Sequence, residues 1–164
     1  MNVLRVAASR NVVSSRLLAA GRPATRSLST LKEIKYTAKA TATGAGRNGH
    51  VESNDLELDL AAPKELGGTG KGHNPEQLFA MGYASCFLGA IQFKARELGK
   101  QDQGKNAVVH AQVHIGPPNE RPGLGLAVDL TVEGVDQELL EAAHQTCPYS
   151  RAVSESIVVN LNRK

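Results

Sequence analysis

The stretch NPEQLFAMGYASCFLGAIQFKARELG, residues 74–99, predicts one long helix that organises the rest of the chain. Asn74 is a preferred N-cap residue, Pro75 suits the first helical position, and Gln77 stands where it completes a capping box. Gly99 follows the last helical residue, where a left-handed glycine commonly ends a helix. A helix of roughly 24 residues is about 36 Å long, since each residue adds about 1.5 Å.

The first half of this helix is almost free of polar side chains. From Leu78 to Ile91 the only strongly polar residue is Ser85, and Cys86 follows it directly. A helix that is apolar all round is buried, so we expect this segment to be enclosed on every side. It is shorter than the roughly 20 apolar residues that cross a bilayer, and no membrane span is expected.

The length and charge of the chain narrow the classes of function. The 164 residues fit one domain of ordinary size. The net charge of +3 comes from residues 1–30, which hold five arginines and no acid, because the remainder has 14 basic against 16 acidic side chains. That remainder carries no basic patch with interleaved aromatic residues, so nucleic acid binding is not expected.

The N-terminal segment has a composition of its own. Residues 1–30 are rich in arginine and serine, with short apolar pieces between the arginines. This composition is typical of a mitochondrial transit peptide, and the alternative is a disordered tail. We therefore expect a mitochondrial matrix protein in which residues 31–164 form the functional domain. Because the matrix is reducing, the cysteines of a matrix protein are more often catalytic or free than joined in a structural disulfide.

Alternating hydrophobicity and turn signals divide the rest of the chain into short elements. Asn48-Gly49 predicts a hairpin between the first two strands. The order β-β-β-α-β-β-α-α-β predicts an α+β domain with mainly antiparallel sheet. The predicted strands cover residues 33–43, 50–53, 56–60, 107–116, 124–133 and 157–161, and two further helices cover residues 136–146 and a short segment from Pro148.

The long helix also predicts an oligomeric state. A domain of about 134 residues buries only some two-thirds of its unfolded surface. One small sheet therefore cannot easily surround a helix that is apolar on every side, whereas two copies of the helix can bury each other. We expect an antiparallel sheet wrapped on a long buried central helix, in an intertwined homodimer.

Four residues could carry thiol chemistry, namely Cys86, Cys147, Arg47 and Glu76. A free thiol titrates near about 8.5, and because burial raises its pKa, Cys86 needs a nearby cation to react. Arg47 at the hairpin tip could supply that cation, and Glu76 could orient the guanidinium bidentately. Cys147 precedes Pro148 and would lie at a helix N-terminus, which lowers a thiol pKa.

Each of these residues also has a simpler interpretation. Cys86 could be an inert core cysteine, Arg47 a solvated turn residue and Glu76 an ordinary first-turn helix charge. Ten residues separate Glu76 from Cys86, so their meeting requires backbone curvature or a partner subunit. His110 and His114 lie four apart on a strand with no further ligand near them in sequence, and no metal site is expected.

Several separated motifs resemble those of the organic hydroperoxide resistance proteins, which have an OsmC-like fold. The resemblance covers about residues 34–162, and the motifs agree in order along the chain. The motifs are Gly46-Arg47-Asn48-Gly49, Pro63-Lys64-Glu65-Leu66-Gly67-Gly68, Asn74-Pro75-Glu76-Gln77-Leu78-Phe79-Ala80, Gly82-Tyr83-Ala84-Ser85-Cys86-Phe87 and Cys147-Pro148-Tyr149-Ser150.

The resemblance implies a thiol peroxidase that acts on organic hydroperoxides as an obligate homodimer, with its active sites at the interface. Cys86 matches the peroxidatic cysteine and Cys147 the resolving cysteine, which together form a disulfide in each cycle. Arg47 and Glu76 match the pair that holds and activates the thiolate. No bound cofactor is implied, and the reductant would be a dihydrolipoyl group, either dihydrolipoamide or a lipoylated protein.

The residues around Cys86 bear on the substrate. Four apolar side chains predict a channel for alkyl or fatty-acid hydroperoxides, namely Leu78, Phe79, Met81 and Phe87. The alternative function is a non-catalytic redox sensor or binding module, in which the Cys86–Cys147 pair gates a partner. The presence of Arg47 and Glu76 favours the enzyme, because a sensor needs no preorganised ion pair.

Overall fold

The computed structural model describes residues 28–163, so the predicted leader lies almost wholly outside the described residues. The described strands are β1 (Leu28–Ser29), β2 (Thr41–Thr43), β3 (His50–Ser53), β4 (Leu56–Asp59), β5 (Val108–Gly116), β6 (Gly125–Glu133) and β7 (Ser156–Ile157). The helices are α1 (Pro75–Glu97), α2 (Gln101–Asn106), α3 (Gln137–Thr146) and α4 (Pro148–Ser154).

Helix α1 begins and ends at the predicted residues. The Asn74 side chain accepts a hydrogen bond from the Gln77 N–H at 2.9 Å, and the Gln77 side chain accepts one from the Asn74 N–H at 3.0 Å. The capping box is therefore complete. Gly99 has a φ of 69°, the left-handed conformation that ends the helix.

The strands that precede α1 in the sequence and those that follow it form separate antiparallel sheets. Strands β2, β3 and β4 form one three-stranded sheet, and β5 pairs with β6 along nine residue pairs. The short strands β1 and β7 pair in parallel. The predicted α+β class with mainly antiparallel sheet is confirmed.

The tight hairpin turn lies at a different position from the one predicted. Strands β2 and β3 do pair, but a longer loop that contains a 3₁₀ turn at Gly46–Asn48 joins them. The two-residue turn lies instead between β3 and β4, where Asn54 has a positive φ of 52°. Asparagine tolerates this left-handed conformation because its short polar side chain bonds locally.

The predicted strands at residues 33–43 and 157–161 are wrong over most of their length. Within the described chain, only Thr41–Thr43 and Ile157 of these ranges lie in strands. The remaining residues have the alternating pattern but no neighbouring strand in the same chain, and their apolar side chains are exposed. Tyr36 is 77% exposed and Leu161 is 92% exposed.

The core lies between one face of α1, the β5–β6 sheet and the C-terminal helices. Its almost completely buried members are Tyr83, Phe87, Ile91, Ala95, Leu139, Ala143 and Cys147, with Ala90 and Ala107 at the margin. Helix α2 is an element that the sequence did not predict. A Cβ on its Gly104 would lie 2.6 Å from the Ala95 Cβ, so glycine allows α2 to pack closely on α1.

Helix α1 is not buried on every side within the single chain, which agrees with the expectation that one chain alone cannot enclose it. The buried residues of α1 form one stripe, whereas Met81 is 56% exposed and Phe93 is 46% exposed on the rest of its surface. By length and composition alone α1 could cross a membrane, a criterion that a core helix also meets. Only 28% of its most apolar window is buried within the chain, so α1 leaves apolar surface uncovered.

Candidate active site

The two cysteines lie side by side, although they are 61 residues apart in the sequence. The Cys147 thiol donates to the Cys86 sulfur, and the two sulfur atoms are 3.6 Å apart. Both are free thiols. Cys147 is fully buried and Cys86 is half-buried, so the pair can be reached from the Cys86 side.

Local sequence explains the position of Cys147. Helix α3 buries Leu139 and Ala143 and ends at Cys147, whose N–H donates to the Ala143 carbonyl at 2.8 Å. Pro148 then occupies the first position of α4. The chain therefore bends at Cys147 and presents its thiol to α1.

A buried hydrogen bond holds α4 on α1. The Tyr83 hydroxyl donates to the Ser150 hydroxyl at 2.9 Å, and both side chains are almost completely buried. Tyr83 lies one turn before Cys86 on α1, and Ser150 lies three residues after Cys147. This bond fixes the two cysteine-bearing segments against each other.

Three features set the pKa of Cys86. Burial raises the pKa of the Cys86 thiol, the backbone N–H of Tyr149 lowers it by a hydrogen bond to the sulfur, and the neighbouring Cys147 thiol raises it. The net direction is upward. The N–H at the start of α4 therefore lowers the pKa of Cys86, whereas the sequence analysis expected this helix N-terminus to lower the pKa of Cys147.

Arg47 and Glu76 form an ion pair, as the resemblance implied. The Arg47 Nη2 donates to the Glu76 Oε2 across 29 residues of sequence. The neighbouring Asn48 side chain accepts from the Ala62 N–H at 2.9 Å and anchors the turn that carries Arg47. The Arg47 Nε is buried and has no hydrogen-bond partner within residues 28–163.

The ion pair and the thiol pair are in different places within one chain. Glu76 is in the first turn of α1, and Cys86 is ten residues further along, which is about 15 Å along the axis. Among the described residues, no arginine or lysine contributes to the pKa shift of Cys86. The structure brings Cys86 to Cys147 and Arg47 to Glu76, but it does not join the two pairs within the subunit.

An aromatic cluster next to the thiols is a feature that the sequence analysis missed. The Tyr149 ring stacks on Phe79 with ring centroids 6.1 Å apart and an interplanar angle of 18°, and it lies 5.8 Å from Tyr83. The only available signal was the position of Tyr149 two residues after Cys147. Without knowledge of the α1–α4 contact, that spacing does not indicate which ring it meets.

The four residues predicted to line a substrate channel separate in the structure. Phe79 joins the aromatic cluster, and Leu78 is half-buried. Met81 lies on the exposed part of α1, whereas Phe87 is in the core, with its ring 6.3 Å from that of His144. A groove with a volume of about 320 Å³ lies beside the first turns of α1. Its walls include Glu76, Gln77 and Ala80.

The described residues contain no cluster of three or more histidine, cysteine or acidic side chains that could hold a metal ion. His110 pairs with Glu133 at 3.0 Å and His114 with Asp129 at 3.2 Å on the exposed face of the β5–β6 sheet. Each histidine thus has a single carboxylate neighbour.

Comparisons with known proteins agree with this geometry. A family model described as OsmC-like protein matches residues 68–162. An uncharacterised protein of Acinetobacter baylyi is 48% identical over 139 residues, which covers 79% of this chain and 94% of that protein. The organic hydroperoxide resistance protein of Xanthomonas axonopodis pv. citri is 44% identical over 139 residues, which covers 79% of this chain and 95% of that protein.

A solved structure gives the same result. The crystal structure of the organic hydroperoxide resistance protein OhrB of Bacillus subtilis superposes with a TM-score of 0.63 at 39% identity. The superposition covers 79% of this chain and 98% of that chain. The OsmC-like fold expected from the motifs is therefore confirmed.

The predicted mitochondrial location is wrong on these comparisons. The relatives at 44–48% identity and the matched crystal structure all come from bacteria, and none supports a transit peptide at residues 1–30. An arginine-rich, acid-free composition describes the charge of a segment, and segments with other destinations can share it. Residues 1–27 lie outside the described structure.

Proposed function

This chain belongs to the OsmC-like family, among the organic hydroperoxide resistance proteins, and from that premise we propose that it is a cysteine-based peroxidase. It reduces organic hydroperoxides to alcohols. The observation that carries the proposal is the separation of 3.6 Å between the sulfur atoms of two free cysteines, one of them accessible from outside. An oxidised Cys86 would have its resolving thiol already in place.

The first step oxidises Cys86. Its thiolate attacks the terminal oxygen of the hydroperoxide, an S–O bond forms, and the O–O bond breaks. The products are a Cys86 sulfenic acid and an alkoxide, which takes a proton to become the alcohol. A cationic donor near the breaking bond stabilises the developing alkoxide charge.

The second step forms the disulfide. The Cys147 sulfur attacks the Cys86 sulfenic sulfur, and the hydroxyl leaves as water. The sulfur atoms move from 3.6 Å to about 2.0 Å apart, which is the length of an S–S bond. The helices that carry the two cysteines therefore need only a small adjustment.

A partner subunit supplies the missing cation. Burial keeps the Cys86 thiol protonated, and Arg47 of the same chain is held at Glu76, about 15 Å away along α1. If two copies pack through the exposed apolar surface of α1, the Arg47–Glu76 pair of one copy can meet the thiol pair of the other. The Arg47 side chain is 38% exposed, so part of its guanidinium is available to an acceptor on a second copy. The functional form is thus a homodimer with composite active sites.

The surroundings of Cys86 favour an apolar substrate. Phe79 and Tyr149 present stacked rings next to the thiols, and such rings bury large apolar area. Alkyl and fatty-acid hydroperoxides gain from this contact, whereas hydrogen peroxide has no apolar part. The enzyme therefore prefers organic hydroperoxides.

The reductant that we propose is a dihydrolipoyl group. One of its thiols attacks the disulfide and releases one cysteine, which leaves a mixed disulfide with the other. Its second thiol then attacks the first lipoyl sulfur and releases the remaining cysteine, so both cysteines are reduced and the product is cyclic lipoyl disulfide. Because Cys147 is fully buried, a dithiol on a long flexible arm reaches the bond more easily than a thiol on a folded surface. The family resemblance supports this reductant.

A turnover assay tests the function. We expect the purified full chain to consume cumene hydroperoxide over many cycles with dihydrolipoamide, and to consume hydrogen peroxide much more slowly. Cys86→Ser should abolish consumption, and Cys147→Ser should stop dihydrolipoamide-driven cycling and leave a sulfenic acid that reacts with dimedone. Oxidation of one equivalent per chain without further turnover would instead identify a redox sensor.

A further inference from the structure

We propose that Tyr149 is a positioning residue for the peroxidase reaction, whose ring, seated over Gly82, aims its own backbone N–H at the Cys86 sulfur. The consequence for catalysis rests on the proposed function. The Cys147 sulfur, two residues before Tyr149, lies 3.6 Å from the Cys86 sulfur, and a hydrogen bond from the Tyr149 N–H lowers the pKa of Cys86. The backbone of Tyr149 is thus next to the reacting sulfur, and its ring helps to hold that backbone in place.

The ring packs closely against Gly82. A Cβ at position 82 would lie 3.2 Å from both the Cε2 and the hydroxyl oxygen of Tyr149. That distance is shorter than ordinary van der Waals contact, so alanine at position 82 would push the ring by a few tenths of an ångström. Gly82 is in the interior of α1, where glycine lowers helix stability by roughly 0.5–1 kcal/mol relative to alanine. The close contact with the Tyr149 ring explains why glycine is present at this position.

Three contacts hold the ring in place. Phe79 stacks on one side at 6.1 Å, Tyr83 lies at 5.8 Å, and Gly82 forms the floor. The ring is still 39% exposed, so it borders the approach to the thiols. Because the side chain has only two rotatable bonds, seating the ring restricts the peptide group to which it is attached.

The peptide N–H matters because the buried thiol has few stabilising contacts. A hydrogen bond to the charged form of an acid favours ionisation, so this N–H offsets part of the effect of burial on Cys86. A displaced ring would weaken or misdirect the bond. The Tyr83–Ser150 hydrogen bond remains in that case and keeps α4 on α1, so the change would be local.

The test is a titration of the Cys86 thiolate by its absorbance at 240 nm. It is made on the full-length dimer in a Cys147→Ser background, so that one cysteine titrates. We expect Tyr149→Ala to raise the pKa of Cys86 by about one unit, which leaves about tenfold less thiolate at neutral pH. Gly82→Ala should raise it by less, and Tyr149→Phe should leave it unchanged because the ring is retained.

Gly116→Ala is the matched control, since a Cβ there meets no atom within 4 Å and the residue has no positive φ. An unchanged pKa in folded Tyr149→Ala would overturn the proposal and leave Tyr149 as packing alone. If Tyr149→Ala fails to fold, Gly82→Ala decides in its place. The titration needs no peroxide, so a wild type without turnover would defeat the proposed function and leave this result standing.

Discussion

Arg47 is held by one carboxylate and still has an unused donor. Its Nη2 donates to Glu76, while its buried Nε has no partner within residues 28–163. Glu76 is largely shielded from solvent, and an ion pair in such a place keeps the guanidinium fixed. A fixed guanidinium whose side chain is still 38% exposed is suited to stabilising a sulfur anion brought to it by another subunit.

Removal of Arg47 should leave the pKa of Cys86 raised by burial, with the Tyr149 N–H as the remaining opposing contact. Because burial raises the pKa of Cys86, we expect Arg47→Ala to shift the alkylation of Cys86 by iodoacetamide to higher pH. We expect peroxidase turnover to fall by about 10²–10³-fold, the usual cost of losing one donor to a developing oxyanion. The rate of alkylation against pH and the turnover with cumene hydroperoxide measure the two effects.

Arg47→Lys and Arg121→Ala are the controls for this experiment. Lysine retains the charge but not the bidentate fork, so its pKa shift should be smaller than that of alanine. Arg121 lies in the exposed loop between β5 and β6, and its replacement should change neither measurement. An unaltered pKa and turnover in Arg47→Ala would show that the cation acts elsewhere.

At the scale of elements, a charged cluster fixes the start of α3 to the start of α2. The Asp136 side chain caps α3 by accepting from the Leu139 N–H at 3.0 Å, and it accepts from the Lys100 ammonium at 2.8 Å and from Gln103 at 3.0 Å. The Lys100 hydrogen bond, followed by those of Gln103 and Leu139, holds the pKa of Asp136 far below its usual range. Since α3 leads into Cys147, this cluster supports the thiol site from a distance.

This cluster predicts how stability depends on pH. A depressed pKa in the folded state adds stability above the unfolded pKa of about 3.9. That stability is lost as the pH falls through the folded value. We expect Asp136→Asn, which retains the cap acceptor but not the charge, to be less stable than the wild type at pH 7. The difference should shrink at pH 3, as measured by urea unfolding.

Glu120→Gln in the exposed β5–β6 loop is the matched control for this change. It also removes one carboxylate, but the pH dependence of its stability should follow that of the wild type. An Asp136→Asn variant with the same difference from the wild type at pH 3 and pH 7 would show that the cap geometry, rather than the charge, holds α3.

For the whole molecule, the described residues leave apolar side chains uncovered. They include the outer part of α1 around Met81 and Phe93, the extended segment with Tyr36, and the C-terminal segment with Leu161. Contiguous apolar surface of this kind marks an interaction site. A second copy that covers them would complete both the burial of α1 and the strand pairing of the extended segments.

Composite sites make a specific prediction for mixed dimers. Cys86→Ser and Arg47→Ala should each be inactive alone, but a mixture that exchanges subunits should regain about a quarter of wild-type activity. In a two-fold symmetric dimer, half of the molecules are then mixed, and each of these has one of its two sites intact. Peroxide consumption after co-expression of the two chains measures the recovery.

Recovery of activity in the mixture shows whether the arginine comes from the same chain as Cys86 or from the partner. If Arg47 served Cys86 of its own chain, no mixed dimer would contain an intact site, and activity would stay at the level of the single variants. A mixture of Cys86→Ser with Cys86→Ser/Arg47→Ala is the matched control and should remain inactive in both cases. A monomeric wild-type chain with full turnover would also contradict the composite site.

The sequence by itself determined the limits of α1 and the class of the fold. The capping box links Asn74 to Gln77, three residues away, and the turn at Gly99 is equally local, so a short window contains the whole cause. The alternation of β5 and β6 is visible in the same way. The sequence motifs also indicated the four candidate site residues, because a family resemblance can be recognised from the sequence alone.

Only the tertiary structure decided how these residues are grouped. The contact between Cys86 and Cys147, and the Tyr149 N–H that reaches Cys86, depend on the packing of α4 against α1. Hydrophobic burial is non-directional, so a pattern that demands a buried helix does not say what buries it. For this reason the sequence implied that α1 needs a second copy to enclose it, but which face of α1 the single chain covers is visible only in the structure.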